Sequence, residues 1–155
     1  MASDILIVDD EADIRELVAG ILQDEGHGAR TARDSDDALA AVVARRPNLV
    51  FLDIWLQGSR LDGLQLLDTL KQEHPELPIV MISGHGNIET AVSAIKRGAY
   101  DFIEKPFKAD RPISCVASGA CCLRSRTSRF SREFSSARSA TSSSRSALNG
   151  FSMKS

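Results

Sequence analysis

The sequence predicts an α/β fold, a doubly wound parallel sheet with helices on both faces. Three observations carry this. Ile5-Leu-Ile-Val8, Leu49-Val-Phe-Leu52 and Ile79-Val-Met-Ile82 are short, wholly apolar runs, the pattern of strands buried on both faces of a parallel sheet. Stretches of helical periodicity lie between them, so strands and helices alternate as right-handed βαβ crossovers require. Each run ends on polar residues, and the middle one ends on Asp53. In open α/β sheets the carboxyl edge is where ligands bind, because strand ends and helix N-termini leave a crevice there. Asp53 is the candidate functional centre.

Taken in order, Ile5–Val8 is a first strand closed by Asp9-Asp10-Glu11. Ile14, Leu17, Val18, Ile21 and Leu22 then fall on one face of a helix that Gly26 stops. Gly28–Ala32 is a weak second strand, with Thr31 its one strong β-former. Asp34 or Ser35 caps a helix with Ala38, Leu39, Val42 and Val43 as its stripe, and Pro47 ends it. After Asp53 comes a loop from Trp55 to Gly63, then a helix marked by Leu64, Leu67 and Leu70 and punctuated by Pro75 and Pro78. The strand Ile79–Ile82 finishes at Ser83-Gly84-His85-Gly86. Ile88, Ala91, Val92 and Ile95 mark another helix, closed by Gly98. Asp101-Phe-Ile-Glu104 is a fifth strand, followed by Lys105-Pro106.

The composition of the chain narrows its class. Its 155 residues suffice for one domain with a real core. No apolar stretch approaches a membrane span of roughly 20 residues, and no charged N-terminus leads into a signal region, so a cytoplasmic protein is expected. The net charge of −2 conceals two materials: residues 1–110 carry 11 Lys/Arg against 20 Asp/Glu, whereas 111–155 carry 8 against 1. Cys115, Cys121 and Cys122 all lie in the second part without a histidine at ligand spacing, which argues for reduced thiols and against a disulfide framework or zinc site.

The predicted sheet would collect Asp9, Asp10, Asp53, Ser83 and Lys105 at its carboxyl edge. Carboxylates that meet repel one another and raise each other's pKa unless a cation neutralises them. Hard oxygen ligands open to water suit Mg²⁺, which takes one or two carboxylates and keeps several waters or phosphate oxygens. A lysine and a serine hydroxyl are suitable partners for phosphate oxygens. The set reads as a phosphoryl-transfer site with a carboxylate nucleophile. Singly, Asp9 and Asp10 could be helix caps, Ser83 a turn former, Lys105 a solvated charge and Phe102 plain core; their convergence favours the site.

Ile7-Val-Asp-Asp-Glu11, Asp53, Asp62-Gly63, Ile82-Ser83-Gly84 and Lys105-Pro106-Phe107 together resemble the receiver domain of bacterial two-component response regulators over about residues 4–110. The resemblance implies a flavodoxin-like, five-stranded parallel sheet of order 2-1-3-4-5. It implies Asp53 as phospho-acceptor from a cognate sensor histidine kinase. It further implies a Mg²⁺ held by Asp10, Asp53 and the backbone carbonyl of Trp55, with Asp9 acting through water. Ser83 would be the switch hydroxyl, Phe102 the switch aromatic and Lys105 the phosphate-binding amine, with a cis Lys105-Pro106 bond. Phosphorylation would reshape the face of the fourth helix, fifth strand and fifth helix, which dimerises in the family. No turnover enzyme is implied beyond self-phosphorylation and autodephosphorylation.

Two departures from the family pattern stand out. The loop after Asp53 reads Leu56-Gln57 in place of a Met-Pro pair and runs two residues longer before Asp62-Gly63. Its Ile54-Trp-Leu-Gln-Gly58 wording, with Gly84-His-Gly86, resembles nitrogen-regulation regulators, which continue into an ATPase module and a DNA-binding domain; DNA and ATP would be engaged only through such domains, absent from this chain. His85 either lines the site or is exposed, with no catalytic role.

The second departure is the tail. Residues 1–122 are expected to be the receiver, with an ill-defined fifth helix near 109–121 whose stripe is Ile113, Val116, Ala117 and Ala120. Residues 111–155 hold fourteen serines and seven arginines, too few apolar groups to offset the entropy of ordering. Disorder is expected over 123–155, and the abrupt change of composition at Arg111 suggests that the tail from there is an out-of-frame or vector-derived continuation. A basic arm for nucleic acid has the charge but lacks interleaved aromatics. Two other functions compete with the phospho-switch. A metal-dependent phosphatase with an Asp nucleophile commonly places a second acid two residues on, where Trp55 stands. A phosphate-independent binding module has no use for the acidic pocket.

Overall fold

The computed structural model describes residues 2–84 and 87–106. Expectations for His85, the fifth helix at 109–121, the boundary at 122/123, the three cysteines and the tail fall outside them.

The described residues form β1 (Asp4–Val8), α1 (Ala12–Asp24), β2 (Gly28–Ala32), α2 (Ser35–Ala44), β3 (Leu49–Asp53), α3 (Gly63–Glu73), β4 (Ile79–Ser83), α4 (Ile88–Lys96) and β5 (Asp101–Glu104). All strand pairs are parallel, and the sheet order is β2-β1-β3-β4-β5, as the resemblance implied. From β1 the chain steps to one side to make β2 and to the other to make β3, so the connections diverge at the carboxyl ends of β1 and β3. Asp9 and Asp53 sit at that divergence.

Alternation along the strands fills both faces. Leu6, Val8, Val50, Leu52, Ile79 and Met81 pack with Ala38 and Val42 of α2, Leu66, Leu67 and Leu70 of α3 and Ala94 of α4. Ile5, Ile7, Phe51, Val80, Ile82 and Ile103 lie on the opposite face with Val18 and Leu22 of α1. β3 and β4 are buried at every position, as their unbroken apolar runs require. At this sheet edge β2 is mostly half-exposed, which explains its weak sequence signal.

The helix stripes need correction. Leu17 of α1 is half-exposed, and Val43 of α2 is 80% exposed, because each helix seats one narrow line of residues on the sheet. In α3, Leu66 is fully buried and Leu64 only partly, so the contact face lies further round than the Leu64-Leu67-Leu70 triad indicated. The largest change is in α4. Ala91 and Ala94 face the sheet, while Ile88 is 69% and Ile95 39% exposed. Small residues let this helix approach closely and leave its large aliphatics outward, beside the half-exposed Tyr100. Asp34, rather than Ser35, caps α2 by accepting from Asp37 N–H at 2.8 Å. Gly26 stops α1 with a φ of 83°.

Candidate functional site

Three carboxylates meet above the β1/β3 divergence. Oxygens of Asp9, Asp10 and Asp53 lie within 4.8 Å of one another. Asp9 and Asp53 are almost fully buried and Asp10 half-buried. Asp9 directly follows β1, and Asp53 is the last residue of β3, so the parallel register of the two strands brings them side by side.

Lys105, just past β5, reaches across to this cluster. Its Nζ donates to Asp9 Oδ2 at 2.7 Å, to Asp53 Oδ2 at 3.3 Å and to Glu11 Oε1 at 3.4 Å. The lysine is anchored through its own N–H, which donates to the Ser83 carbonyl at 2.7 Å. The Lys105-Pro106 bond is cis, as expected. Ser83 is fully buried at the end of β4, paired in register with Glu104. Phe102 pairs with Met81 and packs, partly buried, against the core on the α2–α4 face.

The two buried acids are held differently. Asp9 accepts from Lys105 through Oδ2 and from Glu11 N–H, at 2.9 Å, through Oδ1. Asp53 has the longer contacts, with Trp55 N–H 3.5 Å from Oδ1 and Lys105 3.3 Å from Oδ2. Burial pushes the Asp53 carboxyl up to about 6, the charge of Asp9 adds to this, and Lys105 opposes it. Burial alone would lower Lys105, but its hydrogen bond to Asp9 and the negative charges of Asp53 and Asp9 outweigh that and hold its pKa above the ordinary value. Lys105 therefore stays an ammonium, and one positive charge faces the three clustered carboxylates and Glu11. A hard divalent cation fits the remaining imbalance and the all-oxygen donor set. Asp10 and Asp53 could hold such an ion, with Asp9 beside them and the backbone of Trp55 bordering the space.

Two supporting residues were not anticipated. Arg15 of α1 donates through Nη1 to the carbonyls of Asp9, at 2.7 Å, and Asp10, at 3.1 Å, fixing both peptides. Gly63 is the second residue of the Asp62-Gly63 motif, and the structure supplies its reason. A Cβ there would lie 2.1 Å from the Asp53 carbonyl oxygen and 2.6 Å from Ile54 Cα, so α3 begins against the main chain that carries Asp53. Gly63 N–H donates to the Ile54 carbonyl at 2.9 Å and closes the intervening loop.

A parallel 2-1-3-4-5 sheet with an Asp cluster and a bridging lysine at its switch point defines a class. The sequence matches the family described as response regulator receiver domain over residues 5–117, and the chain belongs to that family. The receiver domain of a response regulator is not a catalytic enzyme family. Among named relatives, the nitrogen assimilation regulatory protein NtrX of Azorhizobium caulinodans is 74% identical over 126 residues, 81% of this chain and 28% of the relative. The chain thus spans less than a third of the length of that relative. The crystal structure of the receiver domain of NtrX from Brucella abortus has 74% identity and a TM-score of 0.70, covering 76% of this chain and 96% of that one. The beryllofluoride-activated NtrC4 receiver domain dimer has 35% identity and a TM-score of 0.67, covering 74% and 93%. The chain contains the receiver of an NtrX/NtrC-type response regulator. Among the described residues no helix is long and apolar enough to cross a membrane.

Proposed function

We propose that Asp53 accepts a phosphoryl group from a phosphohistidine on a sensor histidine kinase, with Mg²⁺ in the acidic pocket. The observation that carries this reading is the pairing of a buried but sparsely hydrogen-bonded Asp53 with an ammonium held beside it by Asp9. A carboxylate oxygen of Asp53 attacks phosphorus; the P–N bond breaks and its electron pair stays on the imidazole, which takes up a proton. Asp10, Asp53 and the Trp55 carbonyl would hold a Mg²⁺, with Asp9 acting through water, and the bound ion would supply Lewis-acid charge stabilisation to the transfer. Lys105 neutralises a phosphoryl oxygen as charge builds there, a fixed-cation role that needs no reorganisation.

Phosphorylation then exchanges a single negative charge for a larger one beside Ser83 and Lys105. Ser83 is the hydroxyl that turns to the phosphoryl group, and Phe102 the aromatic that follows it. Phe102 packs on the same core as Ala94 of α4, so its movement reaches that helix. The outward Ile88 and Ile95, with Tyr100, offer an apolar surface for the homodimer this switch would favour. The beryllofluoride-activated NtrC4 receiver domain is a dimer, which supports the proposal. Control of transcription, a cytoplasmic location, and contact with DNA or ATP through domains beyond this receiver belong to the same reading. Residues 1–122 as receiver and 123–155 as tail complete it.

Beryllofluoride, which mimics a phosphoryl group on a carboxylate, tests the pocket. With Mg²⁺ it should change the emission of Trp55, the single tryptophan, and Asp53→Asn should abolish the response. An unchanged response in Asp53→Asn would overturn the assignment.

A further inference from the structure

The loop between Asp53 and Gly63, lengthened relative to the family pattern, is fastened to a helix that takes no part in the site. Ser35, the first residue of α2, is fully buried. Its N–H is one of the donors that a helix start leaves without an internal partner. It donates to Ser59 Oγ of the loop at 2.9 Å, and in return Leu61 N–H donates to Ser35 Oγ at 3.3 Å. Arg60 adds an exposed hydrogen bond from Nε to Asp36 Oδ1 at 3.1 Å. The loop folds back on itself where Ser59 N–H donates to the Leu56 carbonyl at 3.3 Å, around Gly58 with a φ of 70°, and Leu56 is buried in the core.

We propose that Ser35 and Ser59 are positioning residues: their mutual clasp across α2 and the loop holds the backbone of Trp55 where it can serve the cation pocket. The inference rests on the reading of the Trp55 carbonyl as a Mg²⁺ ligand. Between Ile54, tied to β4 by its N–H and to Gly63 by its carbonyl, and Asp62 at the start of α3, Leu56 and Leu61 pack on the core, and the side-chain hydrogen bonds of Ser59 and Arg60 run to α2. Leu56 anchors its near end, and the clasp anchors its far end. Without the Ser59 hydroxyl, a buried helix N–H loses its acceptor and the segment regains the conformations that folding removed. Outer contacts of this kind set cation affinity by fixing ligand geometry.

The test uses the full chain with Ser59→Ala and Ser59→Thr. Mg²⁺ binding is read by titrating Trp55 emission, loop order by hydrogen exchange over residues 55–61, and global stability by urea unfolding. Ser59→Ala should bind Mg²⁺ about fivefold more weakly and exchange faster over that segment. Ser59→Thr, which keeps the hydroxyl oxygen, should match the wild type in both. Wild-type Mg²⁺ affinity in Ser59→Ala overturns the proposal, as does an equal loss in Ser59→Thr. A wild type that binds no Mg²⁺ overturns both this proposal and the cation reading. A wild type that binds Mg²⁺ but takes up no phosphoryl group overturns only the phospho-acceptor function.

Discussion

Lys105 Nζ lies 2.7 Å from Asp9 Oδ2 and 3.3 Å from Asp53 Oδ2, so in the unmodified domain the ammonium belongs more to Asp9 than to Asp53. The shorter bond keeps the cation at the pocket while leaving an Asp53 oxygen weakly engaged and free to react. Lys105→Met removes the positive charge and leaves buried carboxylates uncompensated. The loss should be about 3 kcal/mol at pH 7.5 without divalent cation, measured by urea unfolding, and Mg²⁺ should restore part of it.

Asp53→Asn should stabilise the metal-free protein. The folded carboxyl has a pKa of about 6 against an ordinary value of 3.8, so the folded state binds more protons than the unfolded state between those values. Stability falls as pH rises through that window. Above pH 6 the full penalty of the ionised, buried group is present, on the order of 3 kcal/mol. The asparagine variant should gain up to about that amount at pH 7.5 and nothing near pH 3.5. Thermal unfolding at several pH values checks it; an equal gain at both ends would contradict the cause given.

Gly63→Ala places a methyl group onto the Asp53 carbonyl oxygen, 2.1 Å away, and onto Ile54. Backbone cannot move aside as a flexible side chain would, so α3 or the end of β3 must shift. A cost of about 3 kcal/mol or more is expected, together with slower phosphoryl uptake, since the moved strand end carries the acceptor. Unfolding and phosphorylation rates measured on one variant separate the two effects.

At the opposite end of the sheet, Asp4 binds Arg30 through two hydrogen bonds, Oδ1 to Nε at 3.0 Å and Oδ2 to Nη2 at 2.8 Å, and Arg30 also reaches the carbonyls of Ala41 and Arg45 at the end of α2. Burial would raise the Asp4 pKa, but the hydrogen bond and charge of Arg30, with Arg45, lower it overall. Stability from this group is present above the unfolded pKa and is lost as pH falls through the lower folded value. Arg30→Met should cost about 2 kcal/mol at neutral pH, less as the pH falls through the lowered Asp4 value, and leave Mg²⁺ affinity unchanged. Calorimetry across pH measures it.

Much of this was legible in the chain because burial on both faces writes a continuous apolar run. Leu49–Leu52 and Ile79–Ile82 read as central strands, and the polar residues that end them, Asp53 and Ser83, were placed by topology. Helix faces were harder to read. In α4 the pattern Ile88, Ala91, Val92, Ile95 suggested that the large residues point inward, whereas the sheet takes Ala91 and Ala94 because close approach needs small side chains. Arg15 and the Ser35–Ser59 clasp were invisible for a different reason. They act through main-chain groups, whose positions depend on loop geometry that no spacing of residue types encodes.

The central claim, that Asp53 is a Mg²⁺-dependent phospho-acceptor, is tested most directly by intact-protein mass after incubation with acetyl phosphate. The wild type should gain the mass of one phosphoryl group with Mg²⁺ and little without it, and Asp53→Asn should gain none. A gain of equal size in Asp53→Asn, or no gain by the rapidly quenched wild type with Mg²⁺ present, would contradict it.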